Sequence, residues 1–249
     1  MGSEHLIHTF HKACADYQLI EDGDHILIGL SGGKDSLALV ELMGRRAQIY
    51  KPRFRVTALH VRVKERDYQT DLSYLEQFCA EAKVPLVVRD VEIDNADYTG
   101  ERQERLRDSN PCFLCSWYRR KTMFNVAQEL GCNKIALGHH RDDLIETMLM
   151  NLIFQGALAT MPPKLQMEKM PLQVIRPLCL VDEAELIAYA AERGYQKQTK
   201  TCPFEHVSSR ERVKGLLAQI KAMSPESMDS MFAAMSNIKE DYLPPKIQH

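Results

Sequence analysis

Two hydrophobic periods alternate along the chain. Residues 24–30 (DHILIGL) form a short apolar run rich in β-branched side chains, which predicts a buried strand ending at a glycine-rich turn. Residues 34–47 then carry helical spacing, and residues 54–63 alternate apolar and polar positions as a second strand does. Leu72, Leu75, Phe78, Cys79 and Ala82 recur at helical spacing within residues 71–83. Residues 85–91 (PLVVRDV), 134–137 (KIAL) and 172–175 predict three further strands. Helices are expected from the N-terminus to about residue 18, and at 114–130, 142–154, 182–193, 208–223 and 227–238. Residues 94–111 are polar without a clear period and read as a loop or an irregular helix.

Strands alternating with helices in this order predict an α/β fold with a doubly wound, parallel, Rossmann-like sheet. No internal repeat or low-complexity linker interrupts the pattern. The simplest partition is one α/β domain over residues 1–180, followed by a helical segment over residues 181–249.

Composition narrows the class. The chain has 249 residues, of which 27% are charged, enough for a sizeable core and a soluble surface. No apolar run approaches a membrane span, and the first residues lack the apolar stretch of a signal peptide. A cytoplasmic protein without a membrane partner is therefore expected. The net charge of −2 argues against a surface that is basic throughout, so a nucleic-acid partner needs a local patch. Arg102, Arg105, Arg107, Arg119, Arg120 and Lys121 supply one, offset by Glu101, Glu104 and Asp108. A solvated helix face explains Arg102 to Arg107 equally well.

The turn after the first strand carries the clearest chemistry. Ser31-Gly32-Gly33-Lys34-Asp35-Ser36 lies where open parallel sheets bind ligands, between a strand end and a helix start. Glycines let the backbone approach a phosphate, and the helix start adds the positive end of its dipole. Lys34 contributes a full charge, and Ser31 and Ser36 contribute hydroxyl donors. The spacing differs from a Walker A loop, which places four residues between its first glycine and its Gly-Lys pair. The loop resembles the pyrophosphate loop (PP-loop) of the N-type ATP pyrophosphatase superfamily. That resemblance implies an ATP site, with the nucleotide split between its α and β phosphates.

Seven cysteines in a chain without an export signal do not suggest a disulfide framework. Cys14, Cys79, Cys132 and Cys179 sit singly in apolar or helical contexts and read as small core residues. Cys112 and Cys115 form a CxxC at a helix start, with Cys202 far downstream. The three suit several sites: a Cys₃His zinc site completed by His206, a redox dithiol at Cys112 and Cys115, or a [4Fe–4S] cluster with one open iron.

Separate blocks then agree on one family. PCFLCSWYRR (residues 111–120), KIALGHHRDD (134–143), MPPKL (161–165), VIRPL (174–178) and MFAAM (231–235) resemble the tRNA 2-thiocytidine synthetases, the TtcA family. The resemblance implies an adenine nucleotide alpha hydrolase-like fold and a [4Fe–4S] cluster on Cys112, Cys115 and Cys202. It further implies Mg²⁺ with ATP, a tRNA substrate modified at cytidine 32, and a cysteine desulfurase as sulfur donor. Glu205 stands where many members place an additional cysteine, which leaves three thiolates and weakens any relay through a fourth.

Other expected site residues follow. By the resemblance, the backbone at His60 and Val61, placed at the end of the second strand, should meet the adenine, with strand-end packing as the alternative, and Gly138 should border the nucleotide. Asp142 and Asp143 open a helix, where one acid caps free amides while the other holds Mg²⁺ or orients substrate. The resemblance to related thiolases implies that Arg119 lies near the cluster and steadies negative charge on the activated base. His139 and His140 either titrate near neutrality or serve packing and capping, and Lys164 and Arg176 are weaker candidates for nucleotide or RNA contact. A homodimer would merge two modest basic patches. The alternatives are a thiolase of another tRNA base, a sulfonucleotide-reductase-like enzyme and a non-catalytic cluster sensor.

Overall fold

The computed structural model describes residues 2–63, 71–92, 111–196, 209–224 and 226–244. It divides into two compact units, Met1–His140 with Pro162–Val207, and Arg141–Met161 with Ser208–His249. The first unit carries helices α1 (Gly2–Asp16), α2 (Lys34–Ala47), α3 (Leu72–Glu81), α4 (Pro111–Glu129) and, late in the chain, α6 (Glu183–Glu192). Its strands are β1 (His25–Gly29), β2 (Arg55–Val63), β3 (Leu86–Val91), β4 (Lys134–Ala136), β5 (Lys164–Gln166) and β6 (Gln173–Ile175). The second unit holds α5 (Arg141–Gln155), α7 (Ser209–Met223) and α8 (Ser227–Ala234).

The sheet runs β3-β2-β1-β4-β6-β5. Every pair is parallel except β5, which lies antiparallel on the edge strand side of β6. The parallel, doubly wound expectation holds for five strands. β5 escaped the reading because three largely exposed residues on a sheet edge show no hydrophobic period.

β1 is buried on both faces, which is why it reads as a continuous apolar run. Ile26 and Ile28 face one core with Phe10 of α1, Leu37 and Met43 of α2, Leu75 of α3 and Tyr189 of α6. Leu27 faces the other, with Val126 and Ala127 of α4 and Ile135 of β4. Cys14 and Cys79 fill the first core and Cys132 the second, while Cys179 is fully buried. Burial pushes these four thiols up, to about 12, 11, 11 and 12 respectively, as expected of packing residues.

The boundary expected near residue 180 falls elsewhere. α6 packs against α1 and α2, and its Leu186 and Tyr189 complete the first core, so it belongs to the sheet unit. α5, expected with the sheet, instead buries Ile145, Met148 and Leu149 against Val213 and Leu217 of α7 and Met228 of α8. The last helix stops at Ala234 rather than near residue 238. Among the described residues, no helix is long and apolar enough to cross a membrane.

Candidate nucleotide site

The chain leaves β1 for β2 on one side and reaches β4 on the other, so the sheet order reverses between β1 and β4. Crevices for ligands open beyond the carboxyl ends of strands at such a point. Residues 31–36 follow β1 there, and Leu137 and Gly138 follow β4.

Gly32 takes a left-handed backbone, φ 82°, which glycine adopts without steric penalty. Gly33 then caps α2 in an extended conformation, and the first helical bond runs from the Leu37 N–H to the Gly33 carbonyl at 3.0 Å. The amides of Lys34, Asp35 and Ser36 precede that bond and form the donor-rich end of the helix. Two serines brace the turn. The Ser36 hydroxyl donates to the Gly33 carbonyl (2.9 Å), and Ser31 N–H donates to Ser36 Oγ (3.2 Å). Gly33 N–H donates to Ser31 Oγ at 3.3 Å. Ser36 is buried, so it shapes the loop where the sequence suggested a phosphate donor.

Gly138 closes the cradle from β4. A Cβ at this position would stand 3.2 Å from the carbonyl carbon and oxygen of Asp35 and 3.3 Å from the Ser36 nitrogen. A side chain here would force the first turn of α2 back by a few tenths of an ångström, so glycine lets the end of β4 meet it this closely.

Lys34 lies between two carboxylates, Asp35 at 3.1 Å and Glu183 at 3.2 Å. Burial pulls its pKa down, but the two acids outweigh burial and hold it above the ordinary lysine value. The ammonium is therefore charged throughout the physiological range. Glu183, the first residue of α6, was missed by sequence reasoning. Its spacing reads as an acid favouring a helix dipole, and nothing local links it to a lysine so far back in the chain.

β1 pairing on β2 ends at Leu59, while β2 continues to Val63. His60 and Val61 are therefore not the strand end, yet they lie where β2 overhangs β1. The His60 Nδ1–H donates to the Leu30 carbonyl at 2.8 Å, tying β2 to the start of the loop. Burial lowers the His60 pKa, the Leu30 bond opposes this, and the Arg119 and Arg62 cations lower it further. Arg119 is thus within electrostatic reach of the crevice wall.

α4 packs on β2, β3 and β4, and its C-terminal end turns directly into the amino end of β4. Its N-terminal turn, with Cys112 and Cys115, consequently points to the carboxyl edge that the loop occupies. Cys115 is buried. Cys202, Glu205 and His206, with Arg102, Arg105 and Arg107, lie outside the described residues.

Other sequence candidates have structural partners. Lys164 donates to the Gln18 carbonyl at 2.9 Å, and buried Arg176 donates to the Pro162 carbonyl at 2.6 Å. His140 is buried beside Gly138 in the chain. In the helical unit, Lys221 donates to buried Asp142 at 2.7 Å. Arg210 pairs with Glu146 at 3.2 Å and approaches Asp143 at 3.7 Å.

Comparison with known proteins places the chain in a family. Residues 3–201 match the PP-loop domain family. The tRNA-cytidine(32) 2-sulfurtransferase of Alkalilimnicola ehrlichii is 35% identical, covering 97% of this chain and 75% of its own. That of Sorangium cellulosum is 36% identical over 96% and 82%. Among solved structures, the U34-tRNA thiolase NcsA from Methanococcus maripaludis, solved with its [4Fe–4S] cluster, shares the fold. Its TM-score is 0.73 at 23% identity, over 94% of this chain and 78% of its own. Matched to the two sulfurtransferases along 96–97% of its own length and to the family model over residues 3–201, the chain belongs to the PP-loop family, in the tRNA-cytidine(32) 2-sulfurtransferase branch.

Proposed function

We propose that this chain is an ATP-dependent tRNA sulfurtransferase that replaces the C2 oxygen of a cytidine, at position 32, with sulfur. The observation that carries the reading is the cradle at residues 31–36, closed by Gly138, with a CxxC turn on the same sheet edge.

A pyrimidine carbonyl oxygen is a poor leaving group, so it must first be activated. The base oxygen attacks the α-phosphorus of ATP, pyrophosphate departs, and an adenylated base results. Hydrosulfide then adds at C2, AMP leaves with the base's own oxygen, and a proton is released as C2=S forms. The loop amides and Lys34 hold the departing pyrophosphate and stabilise its developing charge. Mg²⁺ bound with ATP would neutralise charge on the leaving pyrophosphate, and Asp35, 3.1 Å from the Lys34 ammonium, is the loop carboxylate that would hold it. The overhanging backbone at His60 and Val61 meets the adenine edge. Arg119 steadies negative charge on the activated base. Both acids that open α5 face cations, Asp142 on Lys221 at 2.7 Å and Asp143 on Arg210 at 3.7 Å, and the looser pairing favours Asp143 as the acid for substrate.

Three soft thiolates at Cys112, Cys115 and Cys202 fit an iron–sulfur centre better than a hard cation. A [4Fe–4S] cluster held by them would supply an iron that binds hydrosulfide as a soft ligand. Placing sulfide within reach of C2 is a proximity effect. A single-stranded anticodon loop suits the chemistry, because its bases can be splayed into a pocket. The reading extends to a cysteine desulfurase as sulfur source, to a cytoplasmic location with the tRNA, and to a homodimer that pools two basic patches.

The test is anaerobic incubation of the iron-loaded protein with ATP, sulfide and tRNA, followed by nucleoside mass spectrometry. 2-Thiocytidine formed only with ATP supports the reading. A thiolated uridine, or a single bound zinc lost on Cys202→Ala in place of about four irons, contradicts it.

A further inference from the structure

We infer that Trp117 is a stacking platform for an unpaired tRNA base that flanks the reacting cytidine. The inference rests on the tRNA reading above and specifies where the RNA lies on the protein.

Trp117 is the sole tryptophan of the chain, and it stays 39% exposed on α4. Its neighbour Tyr118 is buried and meets it edge-to-face, with ring centroids 5.0 Å apart at 89°, which fixes the indole plane. Lys121 Nζ lies 5.1 Å from the indole centroid, a cation over an aromatic face. Arg120 donates from Nε to the Ser116 carbonyl at 3.3 Å, keeping its guanidinium along the same side. Ser116, Trp117, Arg120 and Lys121 thus form one outward stripe at helical spacing. The acid further along the helix, Glu129, is paired with Arg89 at 3.2 Å.

An exposed aromatic plane beside two cations suits a partner that is flat and carries negative charge between its flat units. Single-stranded RNA is such a partner: bases stack on the ring and phosphates meet the cations. The base on Trp117 is not the reacting one. Trp117 lies about 3 Å along the helix axis from Cys115 and is turned about 200° from it, on the outward face. The stripe therefore takes a neighbour of the reacting nucleotide, which fixes the register of the loop.

Because Trp117 is the only tryptophan, its emission reports the contact directly. Titration of the iron-loaded protein with unmodified tRNA should quench that emission saturably, whereas ATP alone should not. W117A should raise the KM for tRNA by roughly fivefold to a hundredfold, with kcat and the KM for ATP nearly unchanged, and W117F should recover part of the loss. K121Q should weaken binding mildly and lower the salt slope by about one. The inference is overturned if filter retention shows tRNA bound while Trp117 emission stays constant, or if W117A binds tRNA as wild type does. Failure of the wild-type protein to retain tRNA at all would remove the functional reading itself.

Discussion

Gly138 lies so close to Asp35 that a methyl group on Gly138 would stand 3.2 Å from the Asp35 carbonyl. That contact joins the end of β4 to the first turn of α2, across the point where the strand order reverses. The cradle is thus a property of two strands held in register, with the loop as its rim.

Gly138→Ala should push the Asp35 and Ser36 backbone outward by a few tenths of an ångström. The expected result is a KM for ATP raised roughly three- to tenfold with little change in melting temperature, since misplacement below an ångström already costs rate. Gly138→Val should cost more. Steady-state kinetics with varied ATP measures this, and an unchanged KM in both variants would contradict the close-approach argument.

Lys34 and Glu183 should separate under mutation. Lys34→Met removes the charge that faces the leaving pyrophosphate, and AMP formation should fall by roughly 10²–10³-fold. Glu183→Gln removes a carboxylate that competes with phosphate for the same ammonium, 3.2 Å away. ATP should then bind at least as tightly as in wild type, while kcat drops roughly tenfold because the lysine is less well aimed. Weaker ATP binding in Glu183→Gln would show that the acid serves the site in another way.

The fold was readable where chemistry and periodicity coincide. An apolar run into a glycine turn into a helix announces β1, the loop and α2, and the helical spacing over residues 34–47 coincides with α2. Long-range relations were not readable. Lys34 and Glu183 meet across 149 positions, and no local pattern encodes that pairing. β5 is three residues on an edge, and β2 runs past His60 because β3 pairs with it as far as Val63. The division of the helices was hidden too. α6 and α7 are similar amphipathic stretches, and only packing assigns Leu186 to the sheet unit and Val213 to the helical one.

Asp142 and Asp143 are adjacent, but they should fail differently. Asp142 is buried against Lys221 at 2.7 Å, so Asp142→Asn should lower stability by about 1–3 kcal/mol while leaving residual turnover. Asp143→Asn should fold as wild type and lose thiolation. Urea melts beside single-turnover assays decide this, and the reverse pattern would exchange the two roles.

Stability should weaken on acidification through His60. Its ordinary pKa is 6.5, and in the fold burial holds it lower, so the unfolded chain binds more protons as the pH falls. The stability it contributes is complete above about 6.5 and is lost as the pH drops through the folded value. His11 and His25 are lowered as well and add to the slope. His60→Gln should therefore show a shallower decline of melting temperature below pH 6.5 than wild type, and an identical slope would contradict the buried neutral assignment.

The central claim is that the base's own oxygen leaves on AMP, and isotope labelling tests it most directly. Thiolation of tRNA by the iron-loaded protein in ¹⁸O-water, with ATP and sulfide, should release unlabelled AMP in equal amount to the 2-thiocytidine formed. AMP carrying ¹⁸O in that proportion would mean that water, and not the cytidine carbonyl, attacks the nucleotide.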